Sequence, residues 1–444
     1  MRVAVIGSGI VGAAAAYHLS GRGVSVTVID GAYQGQATQA GAGIVCPWVD
    51  HPDDEDWYRL TREGARRYPE LVGVLGEDIG YAQVGALLVA EDPAELEPVR
   101  SLLARRYAEA PEMGAVTDVT APSELFPPIA EDLSALLVPG AARVDGRAVR
   151  DALLDAAFRQ GAESRTGTAM VTPDGRVLVR EAHEADSRGR LLSRQPPPGT
   201  RGTTGAQASW RQGAPEPAPP GSLHIPGETA AEERPADLED ARPESAAVVE
   251  REAGGEGPVA GSEAGGDEEG WTPIEADVVI VAAGAWTGEV CRPLGVELPV
   301  FPRRGQIVHA TLDGVDTAWW PIVLPRSGPY LLGFPGSRVV VGATVEDVGF
   351  APRITMGGLE EVLQAGLRVA PGLYGATVTE TRVGLRPVYA PGPPLIGRVT
   401  DRVVVATGLS AYGLTAGPFT GELAAGLALG EDAPIDLAPY GPPG

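Results

Sequence analysis

This 444-residue chain has only two cysteines, Cys46 and Cys291, and no C-x-x-C pair. So few thiols argue against a disulfide framework or a zinc site and fit a reducing compartment. Histidine is scarce as well, with five in all. His18, His183, His224 and His309 are scattered, while His51 stands among acids in "DHPDDED". Contiguous loop acids without a second histidine read as a solvated surface, so no metal is expected. No run of eighteen apolar residues occurs, which argues against a membrane span. The apolar opening does not read as a secretory signal, because its glycines fall at phosphate-loop spacing and "HLSGRG" follows. Positive charge is in deficit, with 35 basic against 59 acidic residues and a formal net charge of −24. Such a surface repels phosphate backbones, and nucleic acid is not an expected partner. A cytoplasmic location is expected, with attachment to the inner face of the membrane left open. The oligomeric state is not readable from these residues.

Apolar residues are thin in one place above all. From about Asp186 to Pro273 the chain turns proline- and glycine-rich, then acidic, with fourteen acids against three arginines between Gly227 and Gly270. Such a segment cannot bury enough apolar surface to offset the entropy of ordering it, and it reads as a disordered insertion. An acidic docking tail is the functional alternative. Its flanks, "GRVLVREA" and "EADVVIVAAGAW", read as strands, the first turning back towards the second.

What remains alternates in α/β style. "VAVIG" and "VSVTVID" are buried parallel-strand runs, separated by a helix from Ile10 to Ser20 that stops at Gly21. "GALLVA" is a strand, and "DPAELEPVRSLLARRY" and "DGRAVRDALLDAAFRQG" are amphipathic helices. "QIVHATL", "YLLGF" and "RVVVGATV" read as antiparallel strands. The expected fold class is α/β, a Rossmann-like nucleotide domain of mainly parallel sheet interleaved with a mixed, largely antiparallel substrate domain. The nucleotide domain is expected from 1–80, 140–185, 275–299 and 385–444, and the substrate domain from 81–139 and 300–384. The insertion takes 186–274.

The opening "RVAVIGSGIVGAAAAYHL" holds G-x-G-x-x-G at Gly7, Gly9 and Gly12, with Ile10 and Val11 at the helix start. Gly7 permits the strand-to-helix turn, Gly9 lets backbone N–H groups approach a pyrophosphate, and Gly12 lets helix and strand pack closely. The helix N-terminus adds partial positive charge. Asp30 closes the second strand where a carboxylate accepts hydrogen bonds from ribose hydroxyls, which disfavours NADP. FAD and NAD both fit this much.

Four further stretches break the tie: "GQATQAGAGI" after Asp30, "VVIVAAGAWT", "GLRPVYAPGPPLIG" and "VVVATGLSAYGLTAGPFTGELAAGLAL". Together with the opening motif they resemble the D-amino-acid oxidase superfamily of FAD enzymes, nearest the glycine oxidase and D-amino-acid dehydrogenase branch. The resemblance covers the chain apart from the insertion. It implies an extended FAD with adenine near Asp30 and pyrophosphate at Gly7 to Gly12. Thr38, Gly43 and Ile44 would pass beneath the flavin, and Val171 would contact the adenine from its backbone. Ala283, Gly284 and Trp286 would close over the nucleotide. Gly413, Leu414 and Thr415 would precede a helix from about Ala416 to Leu429 whose start faces the flavin N1 and C2 carbonyl, favouring the negative charge of reduced flavin.

Arg386, in "GLRPVY", matches the family position that grips the substrate carboxylate, and a planar guanidinium suits that task. The implied activity is oxidation of a D-amino acid, glycine or N-substituted glycine by hydride transfer from Cα to flavin. An imine forms, then a 2-oxo acid and ammonia, and oxygen or a quinone takes the electrons. Tyr412 is a candidate substrate contact, and core packing is its alternative. Val388 stands where sarcosine oxidases carry the flavin-tethering cysteine, so FAD is expected to be non-covalent. Ile322 replaces the tyrosine that glycine oxidases commonly place four residues before the arginine that is Arg326 here. Trp319 and Trp320 read as core residues, with shaping the substrate pocket as their alternative, while Cys46 and Trp48 lie just past the flavin loop, where Trp48 is a lesser candidate to line the pocket. An FAD-dependent 2-hydroxy-acid dehydrogenase and a flavin-binding protein without turnover are the alternatives, with an NAD enzyme more distant.

Overall fold

The computed structural model of the chain describes residues 1–76, 78–181 and 270–442. The insertion expected over 186–274 lies outside them up to residue 269, as do His183 and His224. Residues 272–274, expected to belong to it, are a strand.

Two eight-stranded sheets carry the architecture. The first has at its centre Ser25–Asp30, Arg2–Ile6, Val278–Val281 and Val403–Thr407, all parallel. Glu163–Val171 joins parallel beside Ser25–Asp30, and antiparallel strands finish both edges. Alternation along Arg2–Ile6 sends Val3 and Val5 to one face and Ala4 and Ile6 to the other, and each pair enters a different apolar cluster. On the Val3 face pack the helices Ile10–Ser20, Gly146–Arg159 and Gly413–Leu429. Ala13 to Ala16 are fully buried between them, so small side chains set a close helix packing.

The second sheet runs Thr377–Tyr389, Val300–Thr311, Arg338–Gly342, Tyr330–Phe334, Ile322–Pro325, Ala86–Ala90, Ser134–Val138, Thr117–Val119. All its pairings are antiparallel except that of Ile322–Pro325 with Ala86–Ala90. A small three-stranded sheet joins Ile44–Val45, Ala142–Arg143 and Ala82–Gln83.

Local expectations fail in instructive places. Val177–Glu181, from "GRVLVREA", pairs with Glu163–Val171 and Thr272–Ile274 rather than with Val278–Val281, which is central. The last helix begins at Gly413, so Gly413, Leu414 and Thr415 form its first turn instead of preceding it. The acids of "DHPDDED" start a 21-residue helix, Glu55–Leu75: the Asp54 carboxylate caps the Trp57 N–H at 3.0 Å, and Glu55 and Asp56 sit in the first turn. Trp320 packs on Phe126 with ring centroids 4.6 Å apart, as a core residue should, but Trp319 is 72% exposed.

Candidate active site

The first βαβ unit forms a backbone cradle. Gly7 has φ +102°, and a Cβ there would lie 2.4 Å from the Ala282 carbonyl oxygen. A Cβ on Gly12 would lie 1.9 Å from the Gly7 carbonyl oxygen, so strand end and helix touch through glycine alone. At Gly9 the outward side meets only Thr38 Oγ1, at 3.4 Å. The helix start has no capping side chain at its own Ncap; Thr38 Oγ1 reaches across to accept the Ile10 N–H at 3.0 Å. Val11 is buried behind it.

Asp30 accepts from the Ser8 N–H and Ser8 hydroxyl, both at 2.7 Å, from the Ala32 N–H at 2.7 Å and from Gln36 Nε2 at 2.9 Å. Arg150, from the Gly146–Arg159 helix, donates to the Ser8 carbonyl and hydroxyl, each at 2.9 Å. A cation therefore stands at the tip of the glycine loop, a feature no local motif announces. Across the sheet, Thr166 pairs with Asp30. Thr168 Oγ1 meets the Tyr33 hydroxyl at 2.9 Å, and the Tyr33 ring stacks on Trp286 at 5.4 Å. Val171 is not brought here. It lies five strand positions past Thr166, fully buried against Val177 in the apolar core, and the residues beside Asp30 and Tyr33 are Thr166 and Thr168.

Ala283, Gly284 and Trp286 follow Val281 as a tight turn, and the Gly284 carbonyl accepts from Thr407 Oγ1 at 3.0 Å. The Gly43 carbonyl accepts the Val144 N–H at 2.8 Å, and the next carbonyl, of Ile44, accepts Thr415 Oγ1 at 2.9 Å. The turn after Asp30 is thereby tied to the last helix. Tyr68 fixes that helix by donating to the Leu414 carbonyl. Its start carries no capping side chain, and Gly413 faces open space. Two uncapped helix starts, each opened by glycine, fit the pyrophosphate and the ring end of an FAD.

Arg386 stands on Thr377–Tyr389, opposite Arg303. Its guanidinium is largely withdrawn from solvent, and among the described residues no carboxylate pairs with it. Nη1 donates to the Arg304 carbonyl at 3.3 Å and the Thr344 carbonyl at 3.0 Å, and the Tyr330 hydroxyl lies beside the guanidinium. Burial pushes the Tyr330 phenol up to about 12, so it is a neutral hydroxyl beside the cation. Gly305 makes the space: a Cβ there would lie 2.5 Å from Arg386 Nη2. Behind the anchor, Arg304 binds Glu346 through Nε and Nη2. Glu346 Oε1 also accepts from Gln306 Nε2 and from the Thr344 hydroxyl, both at 2.7 Å. These donors, Arg304 foremost, hold the Glu346 carboxyl down at about 2. Tyr330 and Glu346 were invisible to motif reading, because strand pairing brings them in from 40 to 56 residues away. Ile322, set in place of the expected tyrosine, is fully buried against Ala86.

A second polar group forms after Ile44–Val45. Arg106 collects the carbonyls of Trp48, Asp50 and His51 at 2.9, 2.6 and 2.7 Å and lies 3.6 Å over the Tyr58 ring. His51 holds φ +52°, stacks on Trp57 at 4.8 Å and lies 4.4 Å from Tyr412. It is not the solvated surface residue expected. The Tyr412 hydroxyl lies close to the Asp50 carboxylate. Trp48 Nε1 and His51 Nε2 are buried without a hydrogen-bond partner among the described residues. Cys46 and Cys291 are buried free thiols, pushed up by burial and unsuited to nucleophilic work. Among the described residues no His/Cys/Asp/Glu group could hold a metal, and no helix is long and apolar enough to cross a membrane. A cavity of about 370 Å³ opens between the 32–40 turn and Glu380–Val383, and neither Arg386 nor Asp50 lines it.

Comparison with known proteins brings these parts under one description. A family model described as DAO, FAD dependent oxidoreductase, matches residues 2–219 and 229–427. YurR of Bacillus subtilis, described as an uncharacterized oxidoreductase, is 36% identical over 99% of this chain and 98% of its own. The crystal structure of iminodiacetate oxidase (IdaA) from Chelativorans sp. BNC1 is 39% identical, covers 99% of both chains and superposes with a TM-score of 0.77. A glycine oxidase of Pseudomonas putida is 34% identical over 38% of this chain and 47% of that enzyme.

Proposed function

The chain belongs to the DAO family of FAD-dependent oxidoreductases, and from that premise we propose that it oxidises a small amino acid at Cα, an N-substituted glycine above all. Glycine and small D-amino acids complete the class. The observation that carries this reading is Arg386, a largely buried guanidinium held by two carbonyls beside a phenol, with no carboxylate partner among the described residues. Burying such a cation unpaired is costly, and a substrate carboxylate would offset the cost. The likeness to iminodiacetate oxidase over the whole chain supports the choice of a secondary amine.

In this reading Gly7, Gly9, Gly12 and the helix start at Ile10 hold the pyrophosphate, with Arg150 beside them. Asp30, Thr166 and Thr168 face the adenosine half, and Tyr33 with Trp286 covers it. Thr38, Gly43, Ile44 and the Gly413–Thr415 helix start hold the ring. Val388 offers no thiol for a covalent link, so FAD is held by contacts alone. Bound FAD supplies the two-electron acceptor for the hydride leaving Cα. Arg386 fixes the carboxylate with two parallel hydrogen bonds, and its rigid backing sets where the Cα–H points. Tyr330 donates to the same carboxylate, and buried apolar neighbours exclude water. Hydrolysis of the imine gives glyoxylate and a primary amine from an N-substituted glycine, or a 2-oxo acid and ammonia from a primary amino acid.

Anaerobic mixing with a panel of N-substituted glycines, D-amino acids and 2-hydroxy acids, followed at the flavin absorption band, tests the reading. Bleaching by amino acids with amine or ammonia release is the expected result. Bleaching by 2-hydroxy acids alone would make it a hydroxy-acid dehydrogenase. Arg386→Ala should keep its yellow colour while kcat/KM falls roughly 10²–10³-fold, the effect of about 3–5 kcal/mol for a buried ion pair losing one partner. Unchanged amino-acid turnover in that variant defeats the assignment.

A further inference from the structure

Asp50 is a half-buried carboxylate that the reading above leaves without a task. It sits on the 46–51 loop, directly after Ile44–Val45. That loop is held fast: Arg106, 5% exposed, grips three of its carbonyls, and His51 is kept in a left-handed conformation that only such over-determination sustains. The ring of the next residue, His51, packs on Tyr412 at 4.4 Å, which brings the Asp50 carboxylate close to the Tyr412 hydroxyl.

Tyr412 is the residue from which the last helix starts, and three residues earlier Leu409 bridges Val388. Val388 lies two strand positions from Arg386, hence on the same face. The Val388–Leu409 bridge thus brings the segment that leads to Tyr412 against the strand that carries Arg386.

We propose that Tyr412 and Asp50 together accept the proton of the substrate ammonium. The assignment rests on the amino-acid reading above, since only an amine needs it. The N–H bond of the ammonium breaks and its proton passes to Tyr412 Oη, while the tyrosine's own proton passes to an Asp50 oxygen. The nitrogen keeps the electron pair, Asp50 ends as a carboxylic acid, and no electrons change hands in this step. The neutral amine can then push as hydride leaves Cα.

The electrostatics suit the role. Burial raises the Asp50 carboxyl to about 6, against the lowering pull of Arg106, of Arg326 from the 326–329 turn and of the nearby Tyr412 hydroxyl. Cys46, which faces it from its own loop, stays a neutral thiol. Burial also lowers His51, which disfavours its charged form beside Asp50. Asp50 is thus a carboxylate at neutral pH, able to take a proton.

The experiment uses the full flavin-loaded chain. Single-turnover flavin reduction by an N-substituted glycine is followed from pH 5 to 9, and tryptophan fluorescence without substrate is titrated over the same range, because Trp48 and Trp57 pack in this cluster. The wild type should lose rate as pH falls through about 6, and its fluorescence should inflect there. Asp50→Asn should lose both features and fall about 10²-fold in rate at pH 7, a general-base effect. Tyr412→Phe, which keeps the ring packing, should slow at least tenfold and serves if Asp50→Asn does not fold. A rate limb and inflection near 6 that persist in folded, yellow Asp50→Asn overturn the proposal, as does an unslowed Tyr412→Phe. Failure of the wild type to bleach with any amino acid defeats the functional reading instead, and the fluorescence titration still decides whether Asp50 ionises there.

Discussion

The proposed nucleotide cradle and the proposed carboxylate anchor lie on different sheets and are built from different material. The cradle is backbone: strand ends, helix starts and glycines whose absent side chains let carbonyls and a helix close up. The anchor is side chain: Arg386 rests on the carbonyls of Arg304 and Thr344, and Glu346 ties those two residues together. One is a shape that any added atom spoils. The other is a chain of charge-assisted hydrogen bonds that any removed atom breaks. The two should therefore fail differently when mutated.

Adding one methyl group to the cradle should have the largest effect. In Gly12→Ala the new Cβ falls 1.9 Å from the Gly7 carbonyl oxygen, backbone against backbone, with no flexible side chain to give way. The cost should reach at least the ~1–3 kcal/mol of an overpacked site. The expected product is a protein that purifies with little flavin and melts lower, read from the flavin-to-protein absorbance ratio and a thermal scan. A wild-type ratio would mean that helix and strand are not as tightly locked as these distances say.

How much of each region could be read in advance follows from the same contrast. A glycine cradle is local, because residues 7 to 12 and Asp30 carry their meaning at fixed spacing. The helix Ile10–Ser20 and its stop at Gly21 accordingly appear where the pattern puts them. Val171 does not stand opposite Asp30, because a strand that ends in a hairpin offers similar small and apolar residues every second position. Nothing local says which of them stands beside Asp30. Thr166 and Thr168 are identified only by pairing. The Asp30 neighbour Arg150 comes from 120 residues away. The acids after His51 misled for another reason: acids in a row mark a helix start as readily as a solvated loop, and Asp54 proves to be a cap. Arg386 was found by its motif, but its partners Tyr330, Thr344 and Glu346 depend on strand register, which no single stretch encodes.

Removing charge behind the anchor should have an intermediate effect, and one confined to substrate binding. Glu346→Gln keeps the size of the side chain but weakens its hold on Arg304 and Thr344, so the two carbonyls that aim Arg386 loosen. KM for an amino-acid substrate should rise about tenfold with kcat little changed, a loss of uniform binding. The flavin ratio should stay at the wild-type value, in contrast with Gly12→Ala. Stability gives a second reading. The Glu346 carboxyl is held at about 2 when folded, against an ordinary value of 4.5. Its contribution is therefore present above the unfolded value and lost as pH falls from there through about 2. The gap between wild type and variant should be full at pH 7 and should close in that acid window. A gap unchanged by acid would sever Glu346 from the ion pair.

The smallest effect should come from the longest change. Val177–Glu181 and Thr272–Ile274 lie side by side as an antiparallel pair, Val179 opposite Thr272, so the chain leaves and re-enters the first sheet at one edge. Paired residues on such strands sit about 5 Å apart, a gap that a short turn closes. Loop-closure cost changes by only about 0.6 kcal/mol for each doubling of length. We propose that residues 184–269 can be replaced by a four-residue glycine-rich turn with no loss of flavin, substrate-driven bleaching within twofold of the full chain and a melting temperature within a few degrees. The edge strand carries neither the glycine cradle nor Arg386, so both regions should keep their separate sensitivities in the shortened chain. If the shortened chain is colourless, the cradle depends on more than the backbone geometry described, and its contrast with the anchor fails.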